Sequence, residues 1–291
     1  MPTIGVFDSG VGGLTVLQAL RSRLPEQDFV YVGDTARAPY GRKPRLMVRS
    51  FALEIAAFLE KQNVDGIVVA CNTASSAALP ELEEASRVPV WGVVDPGVDA
   101  ACAVTRTRSV GVIGTQGTIA SGAYQERLEK RGLKVWAQAC PTFVHLVEEG
   151  LADSPEARLL AQFYLARRPT IDTLILGCTH YPLMRSTLRG VLGDSVVLVD
   201  GASRIADEVH RWFAADPQPH RTGHIVHYVT GDVTAYRHTA SVIGGVDGEI
   251  VALDVTRLPH PPRDRRRTLI LEQPSSPCAF AVDLSSVPSE V

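Results

Sequence analysis

Two short runs of the chain share one pattern of apolar and polar positions. Val64 to Thr73 reads VDGIVVACNT, Ile171 to His180 reads IDTLILGCTH, and the two align without a gap at a spacing of 107 residues. In each, a β-branched and leucine run ends in a small residue and then a cysteine, which predicts a strand buried on both faces of a parallel sheet. Cys71 and Cys178 then stand where a strand gives way to a helix, the end of an open α/β sheet at which ligands bind.

The pattern around these runs is also repeated. Thr3 to Phe7 predicts a first strand, Asp8-Ser9-Gly10-Val11-Gly12-Gly13 a glycine-rich turn, and Leu14, Leu17 and Leu20 the buried stripe of a helix. A strand follows at Phe29 to Val32, a helix from Arg45 to Glu60, the first cysteine strand, and a strand around Val90 to Val94 that ends at Asp95-Pro96-Gly97. Then the order restarts. Gly111 to Thr115 repeats Gly5 to Ser9 at a spacing of 106, and Val199-Asp200-Gly201 repeats the Val94 to Gly97 segment at 105. Agreement of three spacings predicts an α/β protein built from two similar parallel-sheet domains related by duplication about a pseudo-two-fold axis, with right-handed crossovers. The expected division is 1–97 plus 208–257 for the first domain and 98–207 for the second. A strand, helix and strand over 224–255 have no counterpart in the repeat. The proline-rich segment 258–291, with the basic cluster Arg263 to Arg267, has little periodicity and is expected to be a disordered tail.

Composition narrows the function classes. At 291 residues and 45% apolar the chain has enough core for two domains. A net charge of −3 disfavours direct nucleic-acid binding, and no apolar run approaches transmembrane length, so a cytoplasmic protein with no membrane partner is expected. The five cysteines form no C-x-x-C pair, which points to reduced thiols rather than a disulfide framework. The few lysines lie outside the strand-end motifs, so a pyridoxal phosphate Schiff base has no natural place. No cofactor and no metal are expected.

A cysteine after a buried strand is by default a small core residue, and Cys102 and Cys278 are read that way. Cys71 and Cys178 differ in their matched placement, their polar neighbours Asn72, Thr73, Thr179 and His180, and the helix start expected after each. Free N–H groups at a helix start are expected to pull a thiol pKa toward neutrality. A zinc site would have to recruit His180 and Cys140 without metal-type spacing, a redox couple lacks C-x-x-C, and a hydrolase leaves one thiol idle. Two-base proton transfer uses both: one thiolate removes a proton from one face of a carbon, and the other thiol returns one to the opposite face.

Asp8-Ser9-Gly10 with VGGLTV, Pro39-Tyr40-Gly41, Ala70 to Ser75, Gly114-Thr115 with Thr118-Ile119, and Gly177-Cys178-Thr179-His180-Tyr181-Pro182 together resemble the glutamate racemases of the cofactor-independent aspartate/glutamate racemase superfamily. The resemblance runs from about residue 4 to 257. It implies flavodoxin-like domains facing each other across a cleft that holds the active site, interconversion of L- and D-glutamate, and supply of D-glutamate to peptidoglycan. It implies Cys71 and Cys178 as catalytic acid/bases, with Asp8 assisting Cys71, and with His180 and Glu148 assisting Cys178. It implies substrate contacts from Asp8, Ser9, Tyr40, Gly41, Asn72, Thr73, Thr179 and His180, the Tyr40-Gly41 pair through backbone. Glu149 is adjacent to Glu148 and competes for its role. A homodimer is expected, as is independence from the cell-wall precursor that activates some members through an N-terminal extension. The alternatives are a sister racemase acting on aspartate or a related amino acid, and a non-catalytic regulatory protein that retains the cleft.

Overall fold

The computed structural model describes residues 2–213, 222–244 and 246–259. The first four β-α units are β1 (Thr3–Asp8), α1 (Leu14–Arg23), β2 (Asp28–Gly33), α2 (Arg45–Lys61), β3 (Gly66–Val69), α3 (Asn72–Ala85), β4 (Val90–Gly92) and α4 (Val94–Val104). The next run holds β5 (Ser109–Gly114), α5 (Gln116–Ala120), α6 (Ala123–Lys130), β6 (Lys134–Ala139), α7 (Thr142–Glu148), α8 (Pro155–Leu165), β7 (Thr173–Gly177), α9 (Arg185–Leu192), β8 (Val197–Val199) and α10 (Ala202–Phe213). It is followed by β9 (Ile225–Val229), α11 (Val233–Ile243) and β10 (Glu249–Ala252).

All strand pairs are parallel and fall into two sheets, ordered β10-β9-β2-β1-β3-β4 and β6-β5-β7-β8. The order β2-β1-β3-β4 therefore recurs as β6-β5-β7-β8. Strand bounds recur too: Thr3–Asp8 and Asp28–Gly33 reappear 106 residues on as Ser109–Gly114 and Lys134–Ala139, and Val90–Gly92 reappears 107 on as Val197–Val199. Each sheet is covered on both faces, which is why its central strands read as unbroken apolar runs. Residues of α1, α10 and α11 pack on one face of the first sheet and α2 with α3 on the other; α7, α8 and α9 flank one face of the second, and α4 with α6 the other.

Three expectations need correction. The fourth strand stops at Gly92, and Val94-Asp95-Pro96-Gly97 opens α4 instead of ending a strand. The first turn of a helix has no use for the N–H that proline lacks, and it favours an acidic residue at its positive end, so Asp95-Pro96 is a helix start. The division points at 97/98 and 207/208 accordingly fall inside α4 and α10. The tail does not begin at Leu258, which is 3% exposed and packs into the α2 and α3 layer beside Leu253. Residues 260–291, including Cys278 and the basic cluster, lie outside the described residues. The strand, helix and strand after the repeat extend the first sheet: β9 pairs with β2, and β10 with β9.

The glycine-rich turn after β1 exists for close approach. A Cβ on Gly13 would come within 2.5 Å of the Asp8 Cβ, and one on Gly12 would collide with Thr179 Oγ1 and come within 2.5 Å of the His180 ring. Gly12 thus lets the loop after β7 press against the turn after β1, where Thr15 Oγ1 donates to the Thr179 carbonyl at 3.1 Å. A Cβ at Gly10, by contrast, meets nothing within 4 Å. Gly12→Ala is expected to destabilise the protein by about 1–3 kcal/mol through overpacking, with a thermal midpoint lower by roughly 2–10 °C. Gly10→Ala should leave the midpoint within about 1 °C, since a shift of ±0.5 kcal/mol is typical away from packed features. Thermal unfolding of the two variants side by side checks both.

Candidate active site

Cys71 follows β3 and is the N-cap of α3; Cys178 follows β7. Both are strand-end residues of the central parallel strands of their sheets, and both line one cavity. The first sheet contributes Ser9, Gly10, the Ala38 to Arg42 loop, Cys71, Asn72 and Thr73 to its wall. The second contributes Thr115, Gln116, Pro141, Val144, His145, Glu148, Cys178, Thr179 and His180. Its volume is about 60 Å³, well above the roughly 10–15 Å³ a cavity needs to hold one water. The two thiols are 5% and 6% exposed, so chemistry between them proceeds nearly dry.

The two sides carry different partners. Beside Cys71, the thiol points at Ser9 Oγ at 3.7 Å, and the buried Asp8 carboxylate stands behind it, with its Oδ2 accepting the Gly10 N–H at 2.9 Å. Asp8 Oδ1 has no hydrogen-bond partner among the described residues. Burial raises the Asp8 carboxyl above the ordinary range, against the opposing pull of His180 and of hydrogen bonds from Gly10, Gly13 and Cys71. Burial, then the Asp8 charge, pushes the Cys71 thiol up to about 12. The expectation that the helix start would lower this thiol toward neutrality is thus overturned: desolvation and a neighbouring carboxylate outweigh the α3 amides and the hydrogen bonds of Ser9.

Beside Cys178 the partner is a potential cation. The sulfur lies 3.8 Å from His180 Nδ1, and His180 Nε2 lies 2.9 Å from Glu148 Oε1, at the last residue of α7. Burial works against a charged imidazole here, but the hydrogen bonds to Cys178 and Glu148 prevail and raise His180 to about 10. Glu148 is thus the carboxylate that meets His180 and lines the cavity, whereas Glu149 is exposed and lies outside the lining. No α-helix begins directly after Cys178. Tyr181–Met184 forms a single 3-10 turn first, and α9 starts at Arg185.

The structure brings Ser9, Tyr40, Gly41, Asn72, Thr73, Thr179 and His180 to the same cavity as the thiols. Asp8 stands behind this lining and not in it. Tyr40 is 1% exposed; its hydroxyl donates to Asp34, whose other oxygen accepts from Thr230 Oγ1 at 2.8 Å, so the Ala38 to Arg42 loop is anchored from below. The resemblance assigns Thr115 and Thr118 no role, yet their hydroxyls bridge to Thr73 Oγ1 at 2.9 and 3.3 Å, joining α5 to α3 across the cleft. The repeat held the signal for Thr115, because Gly114-Thr115 stands where Asp8-Ser9 stands in the first unit. Arg42, Gln116, Pro141, Val144 and His145 carried no such mark. Among the described residues no group of three or more His, Cys, Asp or Glu side chains is arranged to hold a metal ion, and no helix is long and apolar enough to cross a membrane.

Residues 14–209 match the family model for Asp/Glu/Hydantoin racemase. The chain is 55% identical to the glutamate racemase of Thermus thermophilus over 244 residues, covering 83% of this chain and 92% of that protein. It is 50% identical to the glutamate racemase of Aquifex pyrophilus, covering 73% and 84%. Among solved structures, the Thermus thermophilus glutamate racemase in complex with β-chloro-D-alanine superposes with a TM-score of 0.80 at 51% identity, over 88% of this chain and 98% of that one. The Francisella tularensis glutamate racemase in complex with D-glutamate superposes with a TM-score of 0.80 at 34% identity, over 87% and 97%. On its sequence, its duplicated parallel sheets and its paired strand-end cysteines, this chain belongs to the Asp/Glu/Hydantoin racemase family.

Proposed function

We propose that this protein is an amino-acid racemase, an isomerase that interconverts L- and D-glutamate without a cofactor and supplies D-glutamate for peptidoglycan synthesis. The observation that carries the reading is the pair of buried thiols on one small cavity, each from an equivalent strand end of the two sheets. The glutamate racemases at 50–55% identity supply the substrate. A cytoplasmic enzyme working as a homodimer completes the reading, on the strength of the resemblance alone.

The chemistry follows from the two flanks. His180, raised to about 10, stands protonated beside Cys178, while the Cys71 thiol, raised to about 12 beside Asp8, holds its proton. In one direction the Cys178 thiolate takes the Cα proton, and the Cys71 thiol delivers its own proton to the opposite face of the same carbon. The products are the other enantiomer, a neutral Cys178 and a Cys71 thiolate. The reverse direction starts from that second state: the Cys71 thiolate takes the Cα proton and the Cys178 thiol returns its own to the opposite face, with Asp8, whose burial strengthens it as a base, beside Cys71. The carbanion formed between the two steps carries charge next to a carboxylate. It needs preorganised donors, and the hydroxyls and N–H groups of Ser9, Asn72, Thr73 and Thr179 supply them without a full cation beside the carbon.

Each thiol is expected to be needed for racemisation and to serve one enantiomer. Cys71→Ser and Cys178→Ser should each lower kcat by about 10²–10⁴-fold, the range for loss of a positioned acid or base. In heavy water, each variant should lose α-proton exchange chiefly from one enantiomer, and from opposite ones, as followed by proton NMR. Equal exchange of both enantiomers in all three proteins would exclude the two-base scheme.

Glu148→Gln removes one of the two interactions that raise His180. The imidazolium then gives up its proton at lower pH, so the basic limb of the kcat/KM profile should move to lower pH. Activity at pH 8 should fall about ten- to hundredfold, the worth of a hydrogen bond to a charged group. Glu149→Gln should keep the wild-type profile. A profile that shifts equally in both variants, or in neither, counts against the Cys178-His180-Glu148 array.

A further inference from the structure

Tyr124 is a buried side chain that reaches from a helix of the second sheet to the residue directly after Cys71. It lies on α6, is 1% exposed, and its hydroxyl donates to Asn72 Oδ1 at 2.7 Å. Burial raises the phenol far above its ordinary range, so it is a hydrogen-bond donor at every working pH. Asn72 is itself 7% exposed, opens α3, and lines the catalytic cavity.

An asparagine amide has two chemically opposite ends, an acceptor oxygen and a donor NH2 group, and rotating it exchanges them. At Asn72 the oxygen is held by Tyr124, which leaves the NH2 on the other side of the amide. Among the described residues that NH2 makes no hydrogen bond to protein. A carboxylate in the cavity would meet a donor; with the amide turned over it would meet an oxygen and be repelled.

We infer that Tyr124 is a positioning residue: it fixes the Asn72 amide so that its NH2 group faces the cavity as a carboxylate donor, and it ties the start of the Cys71 helix to the opposite sheet. The inference rests on the reading of the substrate as an acidic amino acid. The duplication supports it from the other side. Thr179 follows Cys178 as Asn72 follows Cys71, and it too is held from across the cleft, by the Thr15 hydroxyl on α1. In both halves a helix between the first and second strands of one sheet steadies the residue after the thiol of the other.

The test is a double-mutant cycle on glutamate racemisation with kcat and KM measured in both directions. Tyr124→Phe keeps the ring and removes the donor; it should raise KM for both enantiomers about three- to tenfold, the worth of one oriented hydrogen bond, with a smaller change in kcat. Asn72→Ala should raise KM and lower kcat, and adding Tyr124→Phe to it should change neither further. If Tyr124 serves only packing, its removal costs the same factor in both backgrounds, and the inference fails. Asn72→Asp provides an arm that leaves Tyr124 in place: it retains the acceptor and puts an oxygen where the donor was, so KM should rise at least tenfold, and an unchanged KM would overturn the inference even if Tyr124→Phe does not fold. A wild-type protein inactive on glutamate would sink the functional reading together with this inference; an active wild type with independent effects at the two positions would sink this inference alone.

Discussion

The constraint on which the structure depends is that both thiols must come to one small, dry space from opposite directions. A strand buried on both faces cannot itself carry such a group toward a ligand, because its side chains are committed to the helices above and below. Its carboxyl end can. By doubling the β2-β1-β3-β4 arrangement, the fold obtains two such ends and turns them toward each other. Gly12 in the turn after β1 is what lets the loop after β7 come close enough.

Equivalent placement does not produce equivalent chemistry. One sulfur faces a carboxylate and the other an imidazole braced by a second carboxylate. The duplicated backbone supplies position, and the few side chains that differ between the copies supply polarity. Asp8 on the first strand has Gly114 as its counterpart on the fifth, and Thr73 has His180. A racemase needs both: mirror-like approach to a single carbon, and at any instant one proton donor and one proton acceptor. The electrostatic difference between the flanks is thus part of how a near-symmetric scaffold runs a reaction whose two faces must be in opposite protonation states.

Much of this was legible in the sequence because it is written in local periodicity. The buried runs at Val64 and Ile171, the spacing between copies, and the glycine-rich turn all depend on neighbours within a few residues. What was not legible depends on the environment. The Cys71 thiol was expected near neutrality from the helix start alone; the structure adds full burial and the Asp8 charge, which no reading of Cys71-Asn72-Thr73 contains. Asp95-Pro96 looked like a strand end because proline and glycine punctuate turns, and the same residues also suit a first helical turn. Glu148 and Glu149 were inseparable by composition, and only the facing of α7 toward His180 tells them apart.

The strands β9 and β10 extend the first sheet beyond β2, and nothing among the described residues does the same for β6, the matching strand of the second. One copy of the repeated unit is therefore extended along that border, while among the described residues β6 is the last strand of the other sheet. Strands left so are prone to recruit foreign chains, and the exposed Lys134 that opens β6 sits where a charge discourages it. The two halves, alike in plan, thus differ in width: six strands in the first sheet against four in the second.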